Sequence, residues 1–122
     1  MVTKISRRVE RRSRPPDLRG ARFDIEIRIE ISAPSGSYTT RSKRLGIDSL
    51  VFESGEPVAP GDRVNLLLYL PQGEEELDLV RLQAEVVACT KQQGLFTVAA
   101  AFRRYAPGDE RRLHDWLLPR AR

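Results

Sequence analysis

Cysteine and histidine are almost absent from this chain of 122 residues, which contains one of each, Cys89 and His114. A single cysteine cannot form a disulfide within one chain, and one cysteine with one histidine cannot build a zinc site or a catalytic Cys/His pair. The apolar residues before Cys89 predict a small core side chain rather than a nucleophile. We therefore expect neither thiol nor metal chemistry, and we assign neither residue a functional role.

Long hydrophobic runs and catalytic motifs are also missing. No apolar run approaches the roughly 20 residues that a membrane-spanning helix requires, and the basic residues up to Arg14 are not followed by the apolar stretch of a secretory signal. We therefore expect a cytoplasmic protein with no membrane span. No Ser/His/acid set, metal cluster or phosphate-binding glycine loop is found, so we expect neither an enzyme nor a cofactor.

Negative charge is scarce at the start of the chain. Residues 1–22 contain eight basic and two acidic residues, a net charge of +6, whereas the whole chain carries +4. Pro15 and Pro16 disfavour helix and separate the start of this basic stretch from the residues that lead into the first strand. We therefore predict a flexible arm over residues 1–17 and one folded domain over residues 18–122. The arm indicates either an anionic partner or a solvated tail.

Alternating apolar residues predict a mainly β fold. Phe23, Ile25, Ile27, Ile29 and Ile31 alternate with polar residues, as in a half-buried strand. Turn residues separate the later strands with no helix between them, which favours six strands in an antiparallel meander, closed as a barrel or packed as a sandwich. The predicted strands are Phe23–Ile31, Tyr38–Ile47, Leu50–Ser54, Val64–Leu70, Leu77–Thr90 and Leu95–Phe102.

In the last element the apolar residues change from the alternating spacing of a strand to the spacing of a helix. Leu113, Trp116 and Leu117 recur at helical spacing after a proline and two acidic residues, which predicts a helix over Pro107–Leu117 that covers one side of the barrel. We expect large side chains of this helix and of the strands to be buried. They are Phe23, Ile25, Ile27, Leu66, Leu68, Val86, Phe102, Leu113 and Trp116.

Four segments carry a resemblance to a known family. The proline-glycine turn and following strand of Glu56–Pro71, the paired last strands at Leu82–Ala88 and Phe96–Arg103, and the final helix at Asp109–Leu117 are similar to the PilZ domain family. The similarity covers about residues 8–118. It implies a six-stranded antiparallel PilZ-like β-barrel with a C-terminal α-helix, and a place in bacterial cyclic di-GMP signalling.

The family's second ligand motif is replaced in this sequence. That motif is Asp or Asn, any residue, Ser, two residues and Gly, and it offers an acceptor, a hydroxyl and a close backbone approach to the nucleotide. Counting back from the Pro60-Gly61 turn places Arg44, Gly46 and Ser49 at the three motif positions. Since all three differ from the motif, we expect an atypical member of the family.

The family's first ligand motif, Arg-x-x-x-Arg, can supply guanidinium forks to phosphates and flat faces to guanine. Arg7 with Arg11 and Arg8 with Arg12 have this spacing but stand far from the first strand, whereas Arg19 and Arg22 are closer with a different spacing. A run this rich in arginine also meets the spacing by chance. If the protein binds a ligand, we predict that the binding residues are among Arg7, Arg8, Arg11, Arg12, Arg19, Arg22, Arg44, Gly46 and Ser49.

Three functions remain open from the sequence. The first is a signalling or adaptor protein of the cyclic di-GMP system that acts by contacting an unidentified protein partner, with nucleotide binding weakened or lost. The second is a noncanonical cyclic di-GMP receptor that uses the arginines of the arm. The third is a nucleic-acid-binding small barrel, which the shortage of exposed aromatic residues disfavours, because only Tyr38, Tyr69 and Tyr105 remain as stacking platforms.

Overall fold

The computed structural model describes residues 17–121 of the chain. It contains seven strands, one α-helix and a short 3₁₀ helix. The elements are β1 (Arg22–Phe23), β2 (Arg28–Ala33), β3 (Gly36–Gly46), β4 (Ser49–Ser54), β5 (Arg63–Pro71), β6 (Leu77–Gln92), β7 (Leu95–Tyr105), α1 (Asp109–Leu117) and the 3₁₀ helix Leu118–Arg120.

Six of the strands close into an antiparallel barrel in the order β2, β3, β4, β7, β6, β5, and β5 pairs back with β2. Closure gives the barrel strands hydrogen-bonded neighbours on both sides along much of their length, so few sheet edges are exposed. The two-residue strand β1 is an addition that pairs with β3. The predicted six-stranded antiparallel barrel with a C-terminal helix is therefore confirmed.

The predicted meander is wrong, because β4 and β5 do not pair. Instead β4 pairs with β7 over Ser49–Ser54, and β5 pairs with β2. The connection from Gly55 to Asp62 is longer than the roughly two to five residues of most hairpin loops, and its Val58 is buried in the core. The connection therefore crosses the barrel instead of turning back on the strand before it.

The predicted first strand is interrupted after Phe23 and resumes at Arg28. The buried hydroxyl of Ser42 on β3 accepts a hydrogen bond from the amide of Ile27 at 3.0 Å and donates one to the carbonyl of Ile25 at 2.8 Å. A side chain thus replaces part of the strand pairing. The apolar alternation survives the break, because Ile27 is buried and Ile25 is partly buried against the core.

Helix α1 covers the barrel with Leu113, Trp116 and Leu117, all of which are buried. The indole Nε1 of Trp116 donates a 2.8 Å hydrogen bond to the carbonyl of Pro71 at the end of β5. The helix begins two residues later than predicted, because Gly108 has a φ of 82° and is not helical. The predicted burial of Trp116 is confirmed.

The other core predictions hold with three partial exceptions. Ile27, Leu66, Leu68, Val86 and Leu113 are at most 3% exposed, so their predicted burial is confirmed. Three residues, Phe23, Ile25 and Phe102, are only partly buried against the core. Among residues 17–121 no helix is long and apolar enough to cross a membrane.

Candidate functional site

The three motif-position residues lie at the bend between β3 and β4. Arg44 and Gly46 belong to the end of β3, and Ser49 begins β4. Leu45 and Leu50 are completely buried and face the barrel interior. Since neighbouring residues in a strand face opposite sides, Arg44, Gly46 and Ser49 share the outer face. The structure therefore places the three motif-position residues on one face of the bend.

Gly46 is covered by the segment that leads into the barrel. Strand β1 runs antiparallel to β3 with Arg22 opposite Gly46. A Cβ atom on Gly46 would collide with the carbonyl oxygen of Ala21 and would lie 3.3 Å from Cγ of Arg22. Glycine is required here because the backbone of Ala21 occupies the space that any side chain needs. The hydroxyl of the family motif has no room at this position.

Arg44 points outward and is paired. Its Nε lies 3.3 Å from Oδ1 of Asp24, and both side chains are more than half exposed. The guanidinium therefore already has a carboxylate beside it, which reduces its attraction for an added anion. Ser49 is partly buried opposite Ala101 of β7, so its Cβ stands where the motif's glycine would allow close approach.

The segment before β1 is fastened to the bend by Asp48 and is held locally by Asp17, and the sequence interpretation missed both aspartates. The amide of Gly20 donates a 2.6 Å hydrogen bond to Oδ2 of Asp48. Asp17 receives both Nε and Nη2 of Arg19 at 3.0 Å each, which lowers the pKa of Asp17 and raises that of Arg19. No sequence signal identified Asp48 as this acceptor, because an aspartate in a turn commonly bonds an amide two residues on, whereas Gly20 is 28 residues away.

Tyr105 joins the end of β7 to the β3–β4 bend. Its hydroxyl donates a hydrogen bond to the carbonyl of Ile47. Burial raises the pKa of Tyr105, and the negative charges of Glu110 and Asp48 raise it further. A cavity of about 420 Å³ beside it is lined by Asp48 and Glu110 as well as by Arg103 and Arg104. The surroundings of the bend are therefore of mixed charge.

The remaining predicted ligand residues are divided between the described and undescribed parts of the chain. Arg22 is exposed and has no ion pair within residues 17–121. The other four, Arg7, Arg8, Arg11 and Arg12, lie outside the described residues. No group of three or more His, Cys, Asp or Glu side chains suited to a metal occurs in the described part.

The three predicted stacking platforms are all partly buried. The ring of Tyr69 carries the guanidinium of Arg28 at 4.7 Å from its centre, and its hydroxyl donates to Glu30 at 2.6 Å. Tyr105 packs edge-on against Phe102 with ring centres 5.8 Å apart. These two faces are therefore occupied within the chain.

Comparison with known proteins gives one family. The PilZ domain family model matches residues 6–118. No curated protein matches the chain.

Solved structures share the fold. The Bacillus subtilis inhibitor of motility (MotI/DgrA) aligns with a TM-score of 0.74 and 18% identity, over 87% of this chain and 52% of that one. The PilZ domain of CeSA from a cellulose-synthesizing bacterium aligns with a TM-score of 0.57 and 12% identity, over 84% of this chain and 98% of that one. MrkH of K. pneumonia in its apo state aligns with a TM-score of 0.59 and 16% identity, over 87% of this chain and 51% of that one. The chain thus spans about half the length of MotI and MrkH, and at these identities the likeness concerns the fold alone.

Proposed function

The chain belongs to the PilZ domain family, and we propose that it is a signalling or adaptor module of the cyclic di-GMP system that acts by contacting another protein, with binding of the nucleotide itself weakened or lost. Members of this family are generally adaptors or receptors without enzymatic activity. Because a shared fold does not determine a shared ligand, the proposal rests on the residues at the bend between β3 and β4.

The packing of Gly46 against Ala21 supports the proposal most directly. The family motif needs a serine hydroxyl at this position, and here a side chain would collide with the carbonyl oxygen of Ala21. A hydroxyl could be accommodated only if the whole segment from residue 17 to β1 moved. The hydrogen bond between Gly20 and Asp48 opposes that movement.

Charge supports the same conclusion. At the motif's first position the family has an acceptor, whereas this chain has Arg44, which is paired with Asp24. The cavity near the bend is of mixed charge, since Asp48 and Glu110 line it together with Arg103 and Arg104. An anionic dinucleotide would therefore meet neither the family's acceptor at this position nor a cavity wall of uniformly positive charge.

Calorimetric titration with cyclic di-GMP tests this proposal. It should be performed on the full 122-residue chain near physiological ionic strength, where the screening length is about 8 Å, because a basic arm attracts any anion at low salt. We expect no binding at low-micromolar concentrations. Arg44→Ala and Arg41→Ala serve as a matched pair, since both remove an exposed arginine of β3 that is paired with a carboxylate.

A noncanonical receptor is the second candidate, and Arg22 is the observation that favours it. This arginine lies opposite Gly46 with an exposed side chain that no carboxylate within residues 17–121 pairs with. Sub-micromolar binding at physiological salt, abolished by Arg22→Ala or Arg44→Ala but retained in Arg41→Ala, would establish the receptor and refute the adaptor proposal.

A further inference from the structure

A groove crosses the outer face of the barrel, and it shares Arg104 and Tyr105 with the cavity beside the β3–β4 bend. It has a volume of about 450 Å³ and runs over β2, β5, β6 and β7. Strand pairing places Leu67 beside Arg81 in one row and Gln83 beside Arg104 in the next. The groove thus combines an apolar patch at Leu67 with two arginines.

The two arginines are free of ion pairs in the described part of the chain. Neither Arg81 nor Arg104 has a carboxylate within 4.0 Å among residues 17–121, although both line the groove. The one acidic residue that lines it, Glu30, is already engaged by the hydroxyl of Tyr69 at 2.6 Å and by Arg28 at 3.8 Å. The groove therefore has an excess of positive charge that its own acid does not neutralise.

A β-bulge turns Arg104 toward the groove. Gln83 is opposite Arg104, but the next residue, Ala84, is opposite Phe102, so Arg103 is an extra residue in β7. Such a bulge redirects the side chains beside it. Arg103 pairs with Glu85 at 3.3 Å, and Arg104 is left exposed next to it.

The backbone at Arg81 is held on both sides. Its amide donates a 2.7 Å hydrogen bond to Oδ2 of the buried Asp109, and its carbonyl accepts one from Ala106 at 2.9 Å. A binding surface on a fixed backbone loses less entropy when a partner docks. The guanidinium group of Arg81 therefore extends from a backbone that is fixed on both sides.

We propose that this groove binds an extended acidic segment of the partner protein. Arg81 and Arg104 lie on neighbouring strands, two positions apart along β6, a diagonal separation of about 7 to 8 Å. In an extended peptide the side chains of residues i and i+2 lie on the same face about 6.5 Å apart. Two acidic residues separated by one residue therefore match the two guanidinium groups, while an apolar neighbour packs on Leu67. This inference deepens the proposed adaptor function by naming its contact surface.

NMR spectroscopy of the full ¹⁵N-labelled chain at physiological salt tests the proposal. The probe is a nine-residue peptide with glutamate at alternate positions around a central leucine, and the control peptide has glutamine in place of glutamate. We expect the acidic peptide to shift the amide signals of Leu67, Arg81, Gln83 and Arg104. The glutamine peptide is expected to bind at least about tenfold more weakly.

Charge reversal assigns the binding to the groove. Arg81→Glu with Arg104→Glu should weaken binding by about tenfold or more, since like charges then oppose the peptide. Arg41→Glu with Arg111→Glu changes the net charge equally on other faces and should leave the affinity within about twofold. Should the reversed groove variant fold poorly, Arg81→Gln with Arg104→Gln removes the positive charges with less disturbance.

Three outcomes would overturn the proposal. In the first, the acidic peptide leaves the groove amides unshifted at millimolar concentration, as it would if it bound only to the basic arm. In the second, both double reversals weaken binding equally. In the third, a 12-nucleotide oligo-dT shifts the groove amides more strongly than the peptide, which would make the groove a phosphate site. None of these outcomes depends on the calorimetric titration, so the groove and the loss of cyclic di-GMP binding can fail separately.

Discussion

The amide of Gly20 donates a 2.6 Å hydrogen bond to the carboxylate of Asp48, across 28 residues of sequence. This bond joins the segment before β1 to the bend between β3 and β4. Beside it, Ala21 packs on Gly46 and Arg22 pairs with the same glycine. The start of the domain is thus part of the surface on which the family motif would stand.

Replacing Asp48 should loosen this attachment. We expect Asp48→Ala to lower the free energy of unfolding by about 1 kcal/mol, because the amide of Gly20 loses its charged acceptor. Hydrogen exchange at Gly20 should accelerate, and urea denaturation measures the stability. Asp24→Ala is the control, since it removes an exposed carboxylate in the same region whose ion pair with Arg44 should contribute little. Equal exchange rates at Gly20 in the two variants would contradict the role of Asp48.

Gly46 should tolerate no side chain. Gly46→Ser places a Cβ against the carbonyl oxygen of Ala21, so we expect a loss of stability on the order of 2 kcal/mol from overpacking. Gly55→Ser is the matched control, because a Cβ there meets nothing within 4 Å, and it should change stability by less than about 0.5 kcal/mol. Urea midpoints compare the two. A Gly46→Ser protein as stable as Gly55→Ser would show that residues 17–21 can be displaced at little cost in stability.

The same packing affects what restoration of the family motif would achieve. Restoring the motif by Arg44→Asp, Gly46→Ser and Ser49→Gly returns the acceptor, the hydroxyl and the close approach, and on chemistry alone it should improve cyclic di-GMP binding. In the structure the new aspartate would face Asp24, and the new serine would displace Ala21. We therefore expect the triple variant to be destabilised and to gain little affinity by calorimetry.

Trp116 should be the most costly single residue of α1 to truncate. It is 5% exposed and its Nε1 bonds to the carbonyl of Pro71, so Trp116→Ala should cost about 3 kcal/mol or more. Trp116→Phe keeps most of the packing and should cost less. Thermal and urea unfolding measure both variants. A cost below about 1 kcal/mol for Trp116→Ala would mean that the packing of Trp116 on the barrel contributes little to stability.

The elements with strong periodicity were predictable from sequence. Alternation over Phe23–Ile31 and in β5 identified Ile27, Leu66 and Leu68 as core residues, and helical spacing identified Trp116, because each pattern depends only on which face of an element is buried. The strand order was not predictable in this way. Alternation is identical whether β4 pairs with β5 or with β7, and only the length of the connection at residues 55–62 hinted at the crossing.

The candidate site was predictable only as a position in the chain. Counting back from the Pro60-Gly61 turn assigned Arg44, Gly46 and Ser49 to the motif positions, but the contact that decides the chemistry of Gly46 comes from Ala21, which is 25 positions away. The groove was not predictable, because its arginines come from two strands and one of them is redirected by a bulge. Contacts between distant residues depend on register, which residue type alone does not determine.

The phenol of Tyr105 provides a test of the barrel end that depends on pH. Its hydroxyl bonds to the carbonyl of Ile47, and burial is the main cause that raises its pKa above the ordinary value of 10.0. Above that pH the unfolded chain releases the phenolic proton while the folded chain keeps it. The folded state then binds more protons, so stability must fall as the pH rises.

We therefore expect the contribution of Tyr105 to be complete below about pH 10 and to decline at higher pH. Urea unfolding at neutral pH and near pH 11 should show a smaller alkaline loss of stability in Tyr105→Phe than in the wild type. At neutral pH the variant should be about 1 kcal/mol less stable than the wild type, because it lacks the hydrogen bond to Ile47. Tyr69→Phe is the comparison: the hydrogen bond to Glu30 also raises the pKa of Tyr69, but this tyrosine lies on the outer face, so its removal should reduce the alkaline loss by less than Tyr105→Phe does. If Tyr105→Phe and the wild type lost equal stability between the two pH values, the phenol of Tyr105 would not be held neutral by the fold.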